Sequence, residues 1–350
     1  MQNLKISLVQ TDIIWENIDA NIEILSKKLD GLTEETDIII LPETFNTGFT
    51  NKVRELAEPL NGKTMRWMKD TAQKKNAVIT GSIFIKEGDN FYNRLIWYQP
   101  NGDFHYYDKR HLFRLENENL YIKQGQRRLV INYKCWKILP LICYDIRFPI
   151  WCANKYSSRY DLYNYDIIIH VSNWPEKRIE TWKTLLKARA IENQAYIIGV
   201  NRIGIDNNDI NYSGESTIID YKGNSITTIS KNEENIVSTS ISYDKLEEYR
   251  KYFFVGKDWD KYHIYHFGKD IKLDDVSISE KVENTSKHKK RSFIHKIKKL
   301  KKTFIITLLI ILFLSILSII YFYVNNTYSF KESEQMINEK NKVRKAVYKY

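Results

Sequence analysis

Cys143 closes an apolar run, Leu139-Pro-Leu-Ile-Cys, and the chain turns polar at once through Asp145 and Arg147. A buried strand that stops at a cysteine presents the thiol where the following turn can expose it. A thiolate attacks carbonyl carbon, but it needs a base or an electropositive setting to form. Two further islands offer these groups. In Leu41-Pro-Glu-Thr-Phe-Asn-Thr-Gly-Phe49, Glu43 stands just past an apolar strand, and Phe45 and Phe49 would give it a partly dry pocket suited to proton transfer at neutral pH. In Tyr107-Asp-Lys-Arg-His-Leu-Phe113, Lys109 offers a fixed ammonium that would favour the thiolate and stabilise the oxyanion of a tetrahedral intermediate. Taken singly, each has a bland reading: an inert core thiol, an exposed loop carboxylate, a solvated basic patch. Together they share a place, just after a strand end, which is where open α/β sheets put their sites. The pattern points to a Cys–Glu–Lys site for amide hydrolysis. Cys135 and Cys152 lack such surroundings and read as structural.

These residues need strands to position them, and the chain supplies strands alternating with helices. Residues 4–10, 37–41, 77–85, 91–98, 128–133, 136–142, 166–171 and 195–200 are short apolar runs. Ile18, Ile22 and Leu25 recur at helical spacing, with Gly31 near the end of that helix. Residues 63–76 and 176–193 read as further helices, the second with Leu185, Leu186 and Ala190 for its inner face. Pro100-Asn101-Gly102 marks a hairpin, and Lys222-Gly223-Asn224 marks another that begins at 216–219. Residues 114–125 are polar and read as a loop. Strands apolar on both faces indicate an α/β layered domain.

A hydrophobic content of 43% with 13% aromatics is enough to fill a core. Three cysteines without zinc-like spacing argue against a disulfide framework or a structural metal and fit a reducing compartment. The N-terminus runs within three residues into a strand, so no signal sequence is expected. The net charge of +11 is localised: residues 265–350 hold 18 Lys and Arg against 8 Asp and Glu, which leaves about +1 for the first 264. The charge belongs to a tail, and no nucleic-acid partner is expected of the domain. Residues 265–302 read as a basic polar linker. Residues 303–324 are 22 uncharged residues, which as a helix would span roughly 33 Å against roughly 30 Å of hydrocarbon. They read as a transmembrane helix, and 325–350 as a short polar tail. The Lys and Arg before the span predict that its N-terminal side, with the catalytic domain, faces the cytoplasm.

Pro42-Glu43 with Phe45 and Gly48-Phe49, Asp108-Lys-Arg-His-Leu-Phe113, and Ile142-Cys-Tyr-Asp-Ile-Arg-Phe-Pro149 resemble, in order, the three signature blocks of the nitrilase superfamily. Val171-Ser-Asn-Trp-Pro-Glu-Lys-Arg178, Ala188-Arg-Ala-Ile-Glu-Asn-Gln-Ala-Tyr196, Asn201-Arg-Ile-Gly204 and Tyr249-Arg-Lys-Tyr-Phe253 are similar to its omega-amidase (2-oxoglutaramate amidase) branch. The likeness runs from about residue 3 to 264. It implies a four-layer αββα sandwich, usually paired as a homodimer, with helix 176–193 and the region after Cys143 as candidate interface. It implies Glu43 as general base, Lys109 as oxyanion-stabilising cation and Cys143 as nucleophile. Glu118 stands where the family carries a second glutamate, although Glu116 and Asn117 before it depart from the small residues usual in this branch. The backbone N–H of Tyr144 would complete the oxyanion hole. Arg147 is a candidate partner for a substrate carboxylate, or forms a structural salt bridge with Asp145. Trp174 either walls the pocket or packs beneath it. No metal or organic cofactor is implied. The implied reaction is hydrolysis of the terminal amide of an α-keto acid such as 2-oxoglutaramate, through a thioester. Alternatives are another small-amide or carbamoyl hydrolase, a membrane-tethered acyltransferase, and an inactive scaffold.

Overall fold

The computed structural model describes residues 3–262, a short strand pair at 265–266 and 269–270, and Ile316. The chain divides into two compact units, Met1–Ser277 and Ile278–Tyr350, and the first carries the fold below.

Two six-stranded sheets are built on the same plan. The first contains β1 (Leu4–Gln10), β2 (Ile38–Ile40), β3 (Val78–Glu87), β4 (Asn90–Tyr98), β5 (Phe104–Asp108) and the late strand β16 (Asn235–Ile241), in the order β16-β1-β2-β3-β4-β5. The second contains β6 (Ile131–Tyr133), β7 (Trp136–Ile142), β10 (Ile167–Ser172), β11 (Tyr196–Asn201), β14 (Thr217–Ile219) and β15 (Ser225–Thr228), in the order β15-β14-β11-β10-β7-β6. In each sheet three central strands run parallel and the outer ones antiparallel. Short pairs at β8 (Tyr156–Ser157) with β9 (Leu162–Tyr163), β12 (Ile203–Ile205) with β13 (Asn211–Ser213), and β17 (Tyr265–His266) with β18 (Lys269–Asp270) complete the strands.

The apolar runs are explained by their alternation. Leu4, Ile6, Leu8, Ile38, Ile40 and Val78 face the second sheet, where Ile138, Leu139, Leu141 and Ile142 share one core with them. Val9, Ile39, Leu41 and Ile79 point the other way and pack with Leu25 and Leu29 of α1 (Ile18–Asp30) and Met65, Met68 and Ala72 of α3 (Lys63–Lys75). Burying both faces removes the polar stripe that a half-exposed strand would show. On the second sheet, Trp182, Leu186 and Ala190 of α6 (Ile179–Asn193) and Leu246 of α7 (Tyr243–Tyr252) join the core. The layers are therefore αββα, as the resemblance implied. Short helices α2 (Val53–Leu56), α4 (Glu118–Tyr121) and α5 (Pro149–Cys152) lie in the connections.

Three expectations are corrected. The segment 114–125 is not plain loop: a 3₁₀ turn at Arg114–Glu116 and helix α4 flank Asn117, which takes the left-handed conformation at φ 56°. The helix expected from 176 begins as a 3₁₀ turn, Glu176–Arg178, with α6 starting at Ile179. The added transmembrane helix is not part of the fold described: no helix among the described residues is long and apolar enough to cross a membrane. The stretch 303–324 expected to form it lies outside the described residues, apart from Ile316.

Candidate active site

The residues singled out from the sequence converge just past strand ends and at the start of α4, on the seam between the two sheets. Glu43 follows β2, Lys109 immediately follows β5, and Cys143 immediately follows β7. Glu118 comes from the first turn of α4. Lys109 Nζ lies 2.9 Å from Glu43 Oε1 and 2.9 Å from Glu118 Oε1. All three are withdrawn from water, at 0%, 1% and 3% exposure for Glu43, Lys109 and Glu118. An ammonium held between two carboxylates is the arrangement that makes such burial tolerable, since an unpaired charge there would be far more costly.

Further partners fix both carboxylates. Asn93, inside β4, donates from Nδ2 to Glu43 Oε1 at 2.8 Å. The Asn173 N–H donates to Glu43 Oε2 at 2.8 Å, and its side-chain amide donates to the Glu43 carbonyl and Thr44 Oγ1 at 2.9 and 2.7 Å. The Phe113 N–H donates to Glu118 Oε2 at 2.6 Å. Glu43 thus has one oxygen on Lys109 and the other on backbone from the second sheet. Phe49 supports the cation, its ring centroid 5.3 Å from Lys109 Nζ, whereas Phe45 turns into the helix-facing core.

Cys143 occupies a turn of 3₁₀ helix, Cys143–Arg147, and carries φ 41°. A non-glycine residue is held in that region only when its surroundings over-determine it. Here they do. Asp145, fully buried, accepts from Tyr107 Oη at 2.8 Å, from the His111 N–H at 2.9 Å and from the Ile142 N–H at 3.1 Å, and pairs with His111 Nδ1 at 2.8 Å. Arg189 Nε holds the Ile146 carbonyl at 3.0 Å. The salt bridge considered between Asp145 and Arg147 does not form, because Asp145 is committed to these partners.

Electrostatics assign the resting protonation. Burial alone would pull the Lys109 ammonium down, but Glu118 and Glu43 outweigh it and raise its pKa. Burial raises Glu118, with Lys109 opposing and Glu43 adding. Burial, and next the like charge of Glu43, push the Cys143 thiol well above its ordinary value, and Lys109 does not compensate. Lys109 still pulls the thiol pKa down, as expected, but burial and Glu43 outweigh it, and the cation is itself engaged by two carboxylates. The resting nucleophile candidate is a neutral thiol.

The pocket above Cys143 is lined by Phe49, Phe113, Tyr144, Arg147, Trp174 and Arg178, among others. Trp174 is buried yet forms part of this wall, and its indole N–H donates to the Arg178 carbonyl at 2.9 Å. The Arg147 guanidinium lies 5.0 Å from the Trp174 ring centroid, and that of Arg178 lies 5.4 Å from that of Phe113. Neither has a carboxylate partner among the described residues, although Glu116 and Asp206 also line the pocket. Asp206 instead accepts from Tyr212 Oη at 2.9 Å and from two backbone N–H groups. Sequence reasoning missed Asn93, Asn173, His170 and Arg178 as site residues. A polar residue inside an apolar strand, as Asn93 and His170 are, is the signal that could have found two of them. Among the described residues no group of three or more His, Cys, Asp or Glu is arranged to hold a metal ion.

A four-layer sandwich that gathers a thiol and a doubly paired lysine on its sheet seam is a hydrolase of the nitrilase type, acting on amide carbon–nitrogen bonds. The model of the carbon–nitrogen hydrolase family matches residues 5–251, and the chain belongs to that family. It is 38% identical over 265 residues to omega-amidase YafV of Escherichia coli (strain K12), covering 76% of this chain and 100% of that protein. It is 32% identical over 256 residues to a 2-oxoglutaramate amidase of Bacillus subtilis (strain 168), covering 72% of this chain and 96% of that one. Among solved structures, a CN-hydrolase superfamily protein of Xanthomonas campestris with an arsenic adduct in its active site superposes with a TM-score of 0.74 at 40% identity, covering 76% of this chain and 100% of that one.

Proposed function

We propose that this chain is an omega-amidase, cleaving the terminal amide of an α-keto acid such as 2-oxoglutaramate to the dicarboxylic acid and ammonia. The observation that carries the reading is the Glu43–Lys109–Glu118 array beside the Cys143 thiol, in a pocket with two arginines that lack carboxylate partners. The names of the Escherichia coli and Bacillus subtilis relatives favour the same substrate class.

In this reading Cys143 Sγ attacks the amide carbon while Glu43 accepts the thiol proton. Because burial disfavours the free thiolate, proton transfer accompanies attack. Lys109 Nζ and the Tyr144 N–H stabilise the oxyanion. Collapse breaks the C–N bond, Glu43 returns the proton to the departing nitrogen, and ammonia leaves a thioester. Glu43 then takes a proton from water, which attacks the thioester, and the second collapse releases the acid and restores the thiol. Glu118 keeps Lys109 charged and in place. Arg147, with Arg178, receives the substrate carboxylate against Trp174.

Ammonia release from 2-oxoglutaramate tests this directly. The protein should release it, and Cys143→Ala should not. Unchanged turnover in that variant would overturn the assignment, and turnover only of amides without a carboxylate would move the chain to another small-amide branch.

We place the catalytic unit at residues 1–264 and the basic linker, 265–302, outside it. Pairing into a homodimer through α6 and the segment after Cys143 is supported by Ile191 and Ile150, 48% and 55% exposed on those elements; light scattering of the purified protein would measure it. An exposed free thiol at Cys135 favours the cytoplasm for this unit.

A further inference from the structure

His170 has no part in the chemistry above, yet it is fully buried inside β10, within hydrogen-bond reach of the Cys143 backbone. Its Nε2 lies 2.8 Å from the Cys143 carbonyl oxygen. A carbonyl only accepts, so Nε2 carries the hydrogen. The other ring nitrogen confirms the tautomer: the Trp182 indole N–H, which can only donate, meets Nδ1 at 3.3 Å, with Ser172 Oγ at 3.0 Å. Trp182 reaches His170 because Gly199, the β11 neighbour of His170, has no side chain: a Cβ there would stand 2.6 Å from Leu186 Cδ1 and 2.9 Å from the Trp182 ring. Burial also lowers the imidazole pKa to about 4, so it stays neutral.

The carbonyl that His170 holds belongs to the peptide unit whose nitrogen is Tyr144. That unit is planar and trans, so its N–H points opposite to its C=O. Fixing the oxygen on one side therefore fixes the direction of the Tyr144 N–H on the other. At the first turn of a 3₁₀ helix this N–H has no intrahelical acceptor, and it has none elsewhere among the described residues. Tyr144 itself lines the pocket. We propose that His170 is a positioning residue of the oxyanion hole: by donating to the Cys143 carbonyl it holds the Tyr144 N–H aimed at the oxyanion. This deepens the amidase reading and rests on Cys143 as nucleophile.

The test separates orientation of the donor from mere support of the fold. His170→Leu removes the donor and should lower kcat by roughly tenfold or more, somewhat less than the loss of an oxyanion donor itself, with KM nearly unchanged. Iodoacetamide should still alkylate Cys143 at the rate of the parent protein, because displacement at a saturated carbon builds no oxyanion. An aldehyde analogue of the substrate, whose thiol adduct does carry one, should lose affinity in parallel with kcat/KM. His170→Gln, whose side-chain amide can donate near the position of the ring Nε2, should recover most of the activity, and this comparison stands even if the leucine variant does not fold. Full kcat in a folded His170→Leu protein would overturn the proposal. So would equal slowing of alkylation and hydrolysis, which would mean that the nucleophile itself had moved. Retained hydrolysis in Cys143→Ala is a distinguishable result: it would sink the nucleophile assignment itself, and the role of His170 with it.

Discussion

Lys109 is the residue on which the site's charge balance turns. Replacing it with methionine leaves Glu43 and Glu118 buried without a cation. Lys109→Met should abolish hydrolysis and cost on the order of 3–5 kcal/mol of stability, read by urea denaturation; adding Glu118→Gln should return part of that stability but no activity. Arg147→Gln and Arg178→Gln should each raise KM for 2-oxoglutaramate by roughly 10- to 100-fold, the equivalent of one charge-assisted hydrogen bond, while a neutral amide of similar size shows no such change. His170 gives a pH signature. Its pKa falls from 6.5 to about 4 on folding, so the unfolded chain binds the extra proton between those values. The neutral imidazole's contribution is complete above pH 6.5 and lost as pH falls towards 4, about 3 kcal/mol in all; His170→Leu should remove that component from a plot of stability against pH. Glu43 and Cys143 were legible in the sequence because each follows an apolar strand, and Lys109 because a strand leads directly to it. Arg178 was not, because nothing in its neighbours says that its guanidinium lacks a partner. That burial and Glu43 outweigh Lys109 at the Cys143 thiol was not legible, because the pull of one cation is visible in sequence and its engagement by two carboxylates is not.

At the scale of elements, the strand ends are positioned by backbone packing that leaves little sequence trace. Gly125 shows this: its N–H donates to the Lys109 carbonyl at 2.8 Å, and a Cβ on it would stand 2.1 Å from the Asp108 carbonyl oxygen. Since that oxygen is backbone, it cannot swing aside. Gly125→Ala should push the 114–125 segment away from the end of β5 and misplace Lys109 and Glu118 together, lowering kcat/KM by roughly 10²-fold if the shift approaches 1 Å; a crystal structure of the variant would show the displacement. The strands and long helices were legible from apolar runs and helical spacing. Helix α4 was not, since four polar-flanked residues carry no periodicity; its existence depends on Asn117 turning left-handed and on Glu118 finding Lys109.

At the scale of the molecule, the likeness to complete relatives spans about three quarters of the chain and leaves the basic C-terminal region outside it. A chain ending at residue 264 should therefore keep kcat/KM for 2-oxoglutaramate within about twofold of the full chain, the scale of an assay difference and well below a tenfold catalytic step. A large loss would assign the tail a part in the active protein. The layered architecture was legible because strands alternate with helices. The pairing of β16 with β1 was not, because residues more than two hundred positions apart leave no local mark of their partnership.

That pairing sets a schedule for synthesis. Register runs from Leu4 against Ile241 to Gln10 against Asn235, so the first strand to leave the ribosome waits for nearly the last of the catalytic unit before its outer edge is covered. Until then the sheet that carries Glu43 and Lys109 has an unpaired border, the kind of edge that recruits stray strands. Cys143 is made midway through, but Glu43 and Lys109 stand on a sheet still open. A nascent chain should thus be chemically silent while it is most vulnerable to mispairing, with hydrolytic activity in a translation reaction appearing only after release of essentially complete catalytic units.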